Sequence, residues 1–292
     1  MKPNYKLQPW VKLIRPFTLT ASLSPVLVAV MLAIRDHSFD WIDSLLCIIV
    51  ALAAQITSNI ANEYFDFTSK TDDKESLGPN HPMSMGWLSK TQVKGAMVVS
   101  IMITALAGLV LCYLHSWAYL LLGVAVCLGA IGYSAGPWPF SKHGLGDLAV
   151  FLFYGIVPTF FTYYLQAGRS YTDIWLLAVG MGLISDCILI VNNYRDYEDD
   201  RQKGKKTIIV MFGKEFGPKL YFTCGALSLL LLFPFAKMKG FILLCFYILI
   251  FTSNFRALKT TEGKALNKVL AKTALMVLAY ALVASLLLLL EM

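Results

Sequence analysis

Charge is scarce in this chain of 292 residues: Asp, Glu, Lys and Arg make up 15% of it, against 57% hydrophobic residues. A water-soluble domain of that size cannot cover so large an apolar share, so a soluble globular fold is excluded. Cysteine pairing is missing too. The six cysteines (47, 112, 127, 187, 224 and 245) lie in or beside apolar runs and form no CxxC or Cys/His group. That excludes a disulfide scaffold or a zinc module and leaves them as small packing residues. Histidines 37, 81, 115 and 143 are scattered, with no metal-ligand spacing. No basic soluble module exists to hold nucleic acid, so no such partner is expected. Nor is a cleavable leader: residues 1–16 are polar and basic, and the first apolar run is long enough to span.

What the chain has instead is apolar runs of membrane length, close to the ~20 residues a helix needs to cross ~30 Å of hydrocarbon. Nine runs with soft ends are readable: 17–34, 43–62, 93–114, 117–133, 148–166, 174–194, 218–236, 241–256 and 270–290. The fourth and eighth are the shortest. The expected fold is therefore an all-α integral membrane protein with nine transmembrane helices, forming one domain over residues 1–292. With the N-terminus in the cytoplasm, every Lys and Arg falls on the inner side except Arg35, Arg169, Lys237 and Lys239. This asymmetry fixes the orientation and points to the cytoplasmic (inner) membrane. The net charge of +7 then gathers on one face. It serves anionic lipid headgroups, an anionic substrate, or both.

Outer connections are short, whereas the cytoplasmic loops 63–92 and 195–217 are long and chemically mixed, which marks them as functional. Each follows an acidic motif at the end of an apolar helix, "NEYFD" at 62–66 and "NNYRD" at 192–196. On a helix, residues three, four and seven apart share a face. Asn59, Asn62, Glu63 and Asp66 have that spacing, and so do Asn193, Asp196 and Asp200, with Asn192 and Asp199 alongside. Asp72, Asp73 and Glu75 follow the first stripe. Like charges about 6 Å apart at an effective dielectric of ~20 cost roughly 2–3 kcal/mol per pair. Such clusters persist when a cation sits between them, and oxygen donors of this kind suit Mg²⁺ shared with a substrate phosphate. Asp196 and Asp200 then hold metal, while Arg195, Arg201, Lys205 or Lys206 face phosphate or lipid. A charged, solvated helix end explains either motif alone; the matched pair favours an active site on the cytoplasmic side.

"NIANEYFD", "GLGDLAVFLFYG" (144–155) and "NNYRDYEDDRQKGKKT" (192–207), with "IRP" at 14–16, resemble the UbiA superfamily of intramembrane aromatic prenyltransferases. Within it they are most similar to the branch that prenylates 1,4-dihydroxy-2-naphthoate in menaquinone synthesis. The resemblance covers nearly the whole chain. It implies a helix bundle around a central cavity under a cytoplasmic cap made by loops 63–92, 134–147 and 195–217. The implied partners are a polyprenyl diphosphate and an aromatic acceptor, and the implied cofactor is Mg²⁺. Carried over by position, Asn62, Glu63, Asp66, Asp72, Asn193, Asp196 and Asp200 hold the metal. Asn62, Arg15, Lys142, Arg201, Lys205 and Lys206 contact diphosphate, and Asp66, Asp196 and Tyr133 are catalytic. Glu63 departs from the usual Asp, and His81 stands where Arg is common, which leaves Lys74 or Lys142 to replace that contact.

The implied reaction releases diphosphate, joins the prenyl carbon to the ring and expels the ring carboxylate as CO₂. Several roles stay open. Tyr133, Tyr64 and Tyr194 face the ring or anchor the interface. Asp147 caps a helix or orients Lys142. Arg15 reaches headgroups or substrate. Asp186, deep in the sixth run, costs about 2.5–3.5 kcal/mol unless it faces a cavity or a partner. Two other readings compete: a sibling enzyme acting on 4-hydroxybenzoate, and a cation-coupled transporter. The sequence gives no oligomeric state.

Overall fold

A computed structural model describes residues 7–68 and 81–292 of the chain. Its helices are α1 Gln8–Ile14, α2 Pro16–Arg35, α3 Trp41–Thr68, α4 Lys90–Leu114, α5 Tyr119–Gly132, α6 Gly146–Phe151, α7 Val157–Ala167, α8 Thr172–Arg195, α9 Tyr197–Gln202, α10 Ile208–Phe212, α11 Phe216–Leu230, α12 Gly240–Thr260 and α13 Leu266–Leu289. No strand occurs among the described residues. Among the described residues eight stretches are long and apolar enough to cross a membrane: Pro16–Arg35, Trp41–Thr68, Lys90–Leu114, Gly146–Ala167, Thr172–Arg195, Phe216–Phe235, Gly240–Thr260 and Gly263–Leu289. The chain is a multi-pass membrane protein.

The expected fourth span falls short of that length as Trp117–Gly132, closed off by the Gly- and Pro-bearing turn that follows. It still runs from the end of the bundle where His115 meets Asp43 to the end where Ser134 meets Asn62. The expected eighth span, by contrast, is longer than its apolar run and reaches Thr260.

Local chemistry explains several boundaries. Pro16 opens α2, where a missing N–H leaves no bond unmade. Ser89 and Gln92 cap α4 reciprocally, each side chain meeting the other's backbone amide. Gly168 closes α7 in the left-handed conformation, φ 63°. Between α6 and α7 the helix widens into a π turn, Leu152–Ile156, just before Pro158. Single π turns recur at functional sites.

Packing divides the molecule. Buried side chains of α8, α11, α12 and α13 join the C-terminal half of α2 in one dense core that includes Met181, Ile184, Tyr221, Tyr247, Val277 and Tyr280. There the helices approach closely on small residues. A Cβ on Gly155 would sit 2.3 Å from the Cα of Gly182, and one on Gly180 would sit 2.3 Å from the Tyr280 hydroxyl. Contact of this kind holds membrane helices together where lipid supplies no hydrophobic drive. Helices α2 to α7 enclose a cavity.

Candidate active site

The cavity, about 150 Å³, is walled by α2, α3, α4, α5 and the α6–α7 span. Most of its lining is apolar, including Val26, Leu111, Val126 and Phe161. Gln55, Ser58, Tyr133 and Tyr154 line one end, and Tyr119 and Thr162 add hydroxyls toward the other. On α3 the lining runs from Cys47 to Ser58, which at ~1.5 Å per residue is roughly 16 Å of slot. The π turn directs Phe153 and Tyr154 together onto the cavity, and the Phe153 ring lies against Gly129, 2.6 Å from where a Cβ would stand.

The first acidic motif lies at the Tyr133 end. Helix α3 runs unbroken through it, as the spacing required. Asn62 donates to Asp66 Oδ2 at 2.8 Å and to Ser134 Oγ at 3.2 Å, tying α3 to the end of α5. Lys142 Nζ stands 4.0 Å from Asp66 Oδ1. The loop bearing Lys142 folds back because the Ser141 amide donates to the Tyr133 carbonyl at 3.0 Å. Glu63 points elsewhere: Oε2 meets His81 Nδ1 at 2.8 Å and Oε1 accepts the Met83 amide at 2.8 Å. Asn59 is likewise engaged, donating to the Ile14 carbonyl at 2.7 Å and to Thr18 at 2.9 Å. Those bonds hold the α1–α2 corner, where Arg15 adopts φ 54° and ψ 69°, against the first motif. Asp72, with Asp73, Lys74 and Glu75, lies outside the described residues.

The second motif departs from the expected single stripe. Helix α8 ends at Arg195, and Asp196 is its cap, φ −94° and ψ 9°. Buried Arg195 grips both oxygens of Asp196, at 2.8 and 2.6 Å, and also Asn192 and Asn267, at 2.8 and 2.7 Å. This fork satisfies the guanidinium inside the protein, and the chain bends around it. Asn193 is buried on α8. Asp200, on α9, pairs with Lys205 at 2.9 Å, and Asp199 with Lys203 at 2.8 Å. Burial pushes the Asp200 carboxyl up; Lys205 pulls it back, Asp196 and Asp199 push it further, and the result lies above the ordinary range. Arg201 and Lys206 are exposed.

One bridge joins the two motifs. The Lys206 amide donates to the Lys142 carbonyl at 3.0 Å, while the Lys142 side chain reaches toward Asp66. Helices α3 and α8 both pack on α2 and α7 and scarcely touch each other, so the link runs through this cap. Among the described residues no three His, Cys, Asp or Glu side chains gather as a protein-only metal cage. The acids stand singly or in pairs, with hard oxygen donors only, each beside a base. That donor set fits Mg²⁺, which takes one or two carboxylates and completes its shell with water and phosphate oxygens.

The residues that spacing alone did not single out are Ser134, Gln55, Ser58, Tyr154 and Asn267. A signal existed for two of them. Gln55 and Asn59 continue the Asn62–Asp66 line down α3 at helical spacing, and Ser58 lies beside it.

An apolar slot inside a bundle of membrane helices, closed at one end by acid–base loops, is the build of a membrane enzyme for an amphiphile with an anionic head. The sequence pattern described as the UbiA prenyltransferase family matches residues 22–279. The 1,4-dihydroxy-2-naphthoate octaprenyltransferase of Escherichia coli (strain K12) is 33% identical over 237 residues, 78% of this chain and 77% of that protein. The protein of the same name from Mycobacterium tuberculosis is 35% identical over 73% of this chain and 72% of its own length. A solved UbiA homolog from Archaeoglobus fulgidus, bound to GPP and Mg²⁺, shares the fold with a TM-score of 0.68, covering 96% of this chain and 99% of that one at 15% identity. The chain belongs to the UbiA prenyltransferase family and is a prenyltransferase.

Proposed function

We propose that this enzyme transfers a polyprenyl group from polyprenyl diphosphate to 1,4-dihydroxy-2-naphthoate, releasing diphosphate and CO₂ and giving demethylmenaquinol for menaquinone synthesis. The observation that carries it is the apolar cavity with Tyr133 at one end, beside Ser134, which accepts a hydrogen bond from Asn62 of the first acidic motif. An isoprenoid tail belongs in such a slot, and a diphosphate at the acid–base end. The relatives' names support the choice of acceptor. In this reading residues 1–292 form one membrane domain. The helix Trp117–Gly132 crosses as a ninth span, and the motifs face the cytoplasm from the inner membrane.

Asn62 and Asp66, with Asn193, Asp196 and Asp200, would hold Mg²⁺, which neutralises charge growing on the leaving diphosphate. Lys142 and Lys205 now lie beside Asp66 and Asp200; with Lys206, Arg201 and Arg15 they offer cations to phosphate oxygens. Glu63 holds His81 and the Met83 amide, and so positions the segment that follows the first motif. The cavity wall keeps water from the allylic cation until a ring carbon captures it.

The test is diphosphate release by the purified chain, with each candidate acceptor, before and after chelation of Mg²⁺. Prenylated product from dihydroxynaphthoate, lost on chelation, is expected. Product from 4-hydroxybenzoate alone transfers the assignment to that acceptor. Absence of any prenylated aromatic, together with ion-dependent thermal stability, defeats the reading in favour of transport.

A further inference from the structure

Two acids remain that the site above does not use. Asp147 lies in the first turn of α6 and Asp186 in the middle of α8; they are 7% and 6% exposed. In each, Oδ1 has no hydrogen-bond partner, and neither acid forms an ion pair among the described residues. Asp147 does not cap α6, since the cap position is Leu145, and Lys142 turns to Asp66 instead. At helical spacing Asp147 shares a face of α6 with Phe151, and Asp186 shares a face of α8 with Gly182 and Leu189, so both acids lie on the faces where these two helices meet. Helices α6 and α8 pack directly, Gly146 against Leu189 and Gly182 against Phe151. The Tyr133 oxygen lies 3.7 Å from where a Cβ on Gly146 would stand, so no side chain of that residue comes between it and the start of α6. Tyr133 also lines the cavity.

Two carboxyls that feel each other in a low-dielectric interior, with no cation to offset them, do not both ionise; they hold one proton between them. An arrangement so costly persists where chemistry needs it. We propose that Asp147 and Asp186 act, through Tyr133, as a proton store for the acceptor's ring hydroxyl, taking its proton and returning it within one turnover.

This rests on the proposed acceptor, an aromatic acid with a hydroxyl beside its carboxyl-bearing carbon. As the allylic C–O bond breaks, its electron pair leaves with diphosphate. A ring π pair forms the new C–C bond at the carboxyl-bearing carbon, and the neighbouring hydroxyl becomes a carbonyl. Its proton passes to the Tyr133 oxygen, which gives its own proton to the ionised member of the pair. The ring carboxylate then leaves as CO₂, and its bonding pair re-forms the aromatic ring and returns charge to the carbonyl oxygen. That oxygen recovers a proton by the same route. The pair ends as it began, and no proton is exchanged with water. Tyr133 touches the acceptor; Asp147 and Asp186 are positioning residues acting through it.

The test compares the full chain with Asp147→Asn/Asp186→Asn in detergent, measuring kcat, KM for each substrate and the thermal midpoint. The amide pair keeps shape and removes buried charge, so a midpoint equal to or above wild type is expected. The expected kcat loss is about 100-fold or more, the range for general acid–base groups, with KM for prenyl diphosphate within threefold. Each single amide variant keeps a carboxyl and retains more activity than the double. A purely structural role would lower the midpoint and leave kcat, and a double variant within threefold of wild-type kcat overturns the proposal. Tyr133→Phe removes one oxygen from a cavity wall and keeps the test decisive should the double variant not fold: it too must lose about 100-fold in kcat, and retention overturns the proposal. A wild-type chain that prenylates no hydroxylated aromatic acid defeats the acceptor assignment; an active wild type with an equally active double variant defeats only the proton store.

Discussion

The backbone amide of Lys206 donates to the carbonyl of Lys142, and this 3.0 Å bond joins loops that leave α5 and α9 far apart in sequence. Gly144 presses on the same point. At φ +75° it is left-handed, and a Cβ there would lie 3.1 Å from the Lys206 carbonyl oxygen. Gly144→Ala should therefore lower kcat/KM by about tenfold, as roughly 1–2 kcal/mol of strain is relieved by shifting the bridge. Gly168→Ala is the control: φ is +63° there, with open space around it. It carries similar strain at the other end of the bundle and should leave kcat/KM unchanged. Steady-state kinetics on both variants separate the bridge from backbone strain.

Asp66→Ala and Asp196→Ala should each reduce turnover by about 100-fold or more, the cost of removing a preorganised electrostatic group. Both residues lie at the end of a span, not in the dense core, so the variants should insert and remain monodisperse. Product formation by chromatography, with size exclusion as the folding control, checks this. Full activity in either would contradict the metal assignment.

Gly155→Ala belongs to a different class. Its Cβ would meet backbone, 2.3 Å from Gly182 Cα and 2.4 Å from Gly182 N, with no flexible side chain to yield. Overpacking costs about 1–3 kcal/mol and more where backbone must shift. A lower thermal midpoint is expected, whereas Gly108→Ala, with nothing within 4 Å, should be neutral.

At the opposite end of the molecule, Asp36 ties α2 to later helices. Burial raises its carboxyl, but hydrogen bonds from Tyr163, Tyr171 and Arg35 outweigh this and hold it below the usual carboxylate range. A lowered folded-state value stabilises above the ordinary pKa near 4 and loses that contribution as pH falls through the folded value. Asp36→Asn should cost roughly 1.5–3 kcal/mol at neutral pH. The difference between variant and wild-type midpoints should shrink in acid, below about pH 4. Thermal scans across pH test the sign.

The spans were legible because apolar runs of that length have one use. Their ends were less so. Helix α3 continues to Thr68, six residues past its apolar run, because its polar residues face protein and not lipid. The separate role of Glu63 was not read from the spacing, which grouped it with Asn59, Asn62 and Asp66 as a metal ligand; its bonds to His81 and the Met83 amide set it apart. At about 100° per residue it stands well round from Asn62, whereas Asp66 returns to within about 40°. The bend at Asp196 was not readable, because it depends on Asn267, distant in sequence, meeting Arg195. A central cavity was expected from the resemblance, but the π turn in its wall was not, because beside a proline it leaves no period to detect.

The packing asymmetry between the halves has a consequence for how such an enzyme changes over time. In the proposed function, substitutions at Val126 or Phe161 reshape the slot offered to the tail while the dense core of α8 and α13 stays intact. New specificities can thus accumulate in the first half of the gene, sheltered by an inherited second half that tolerates few changes.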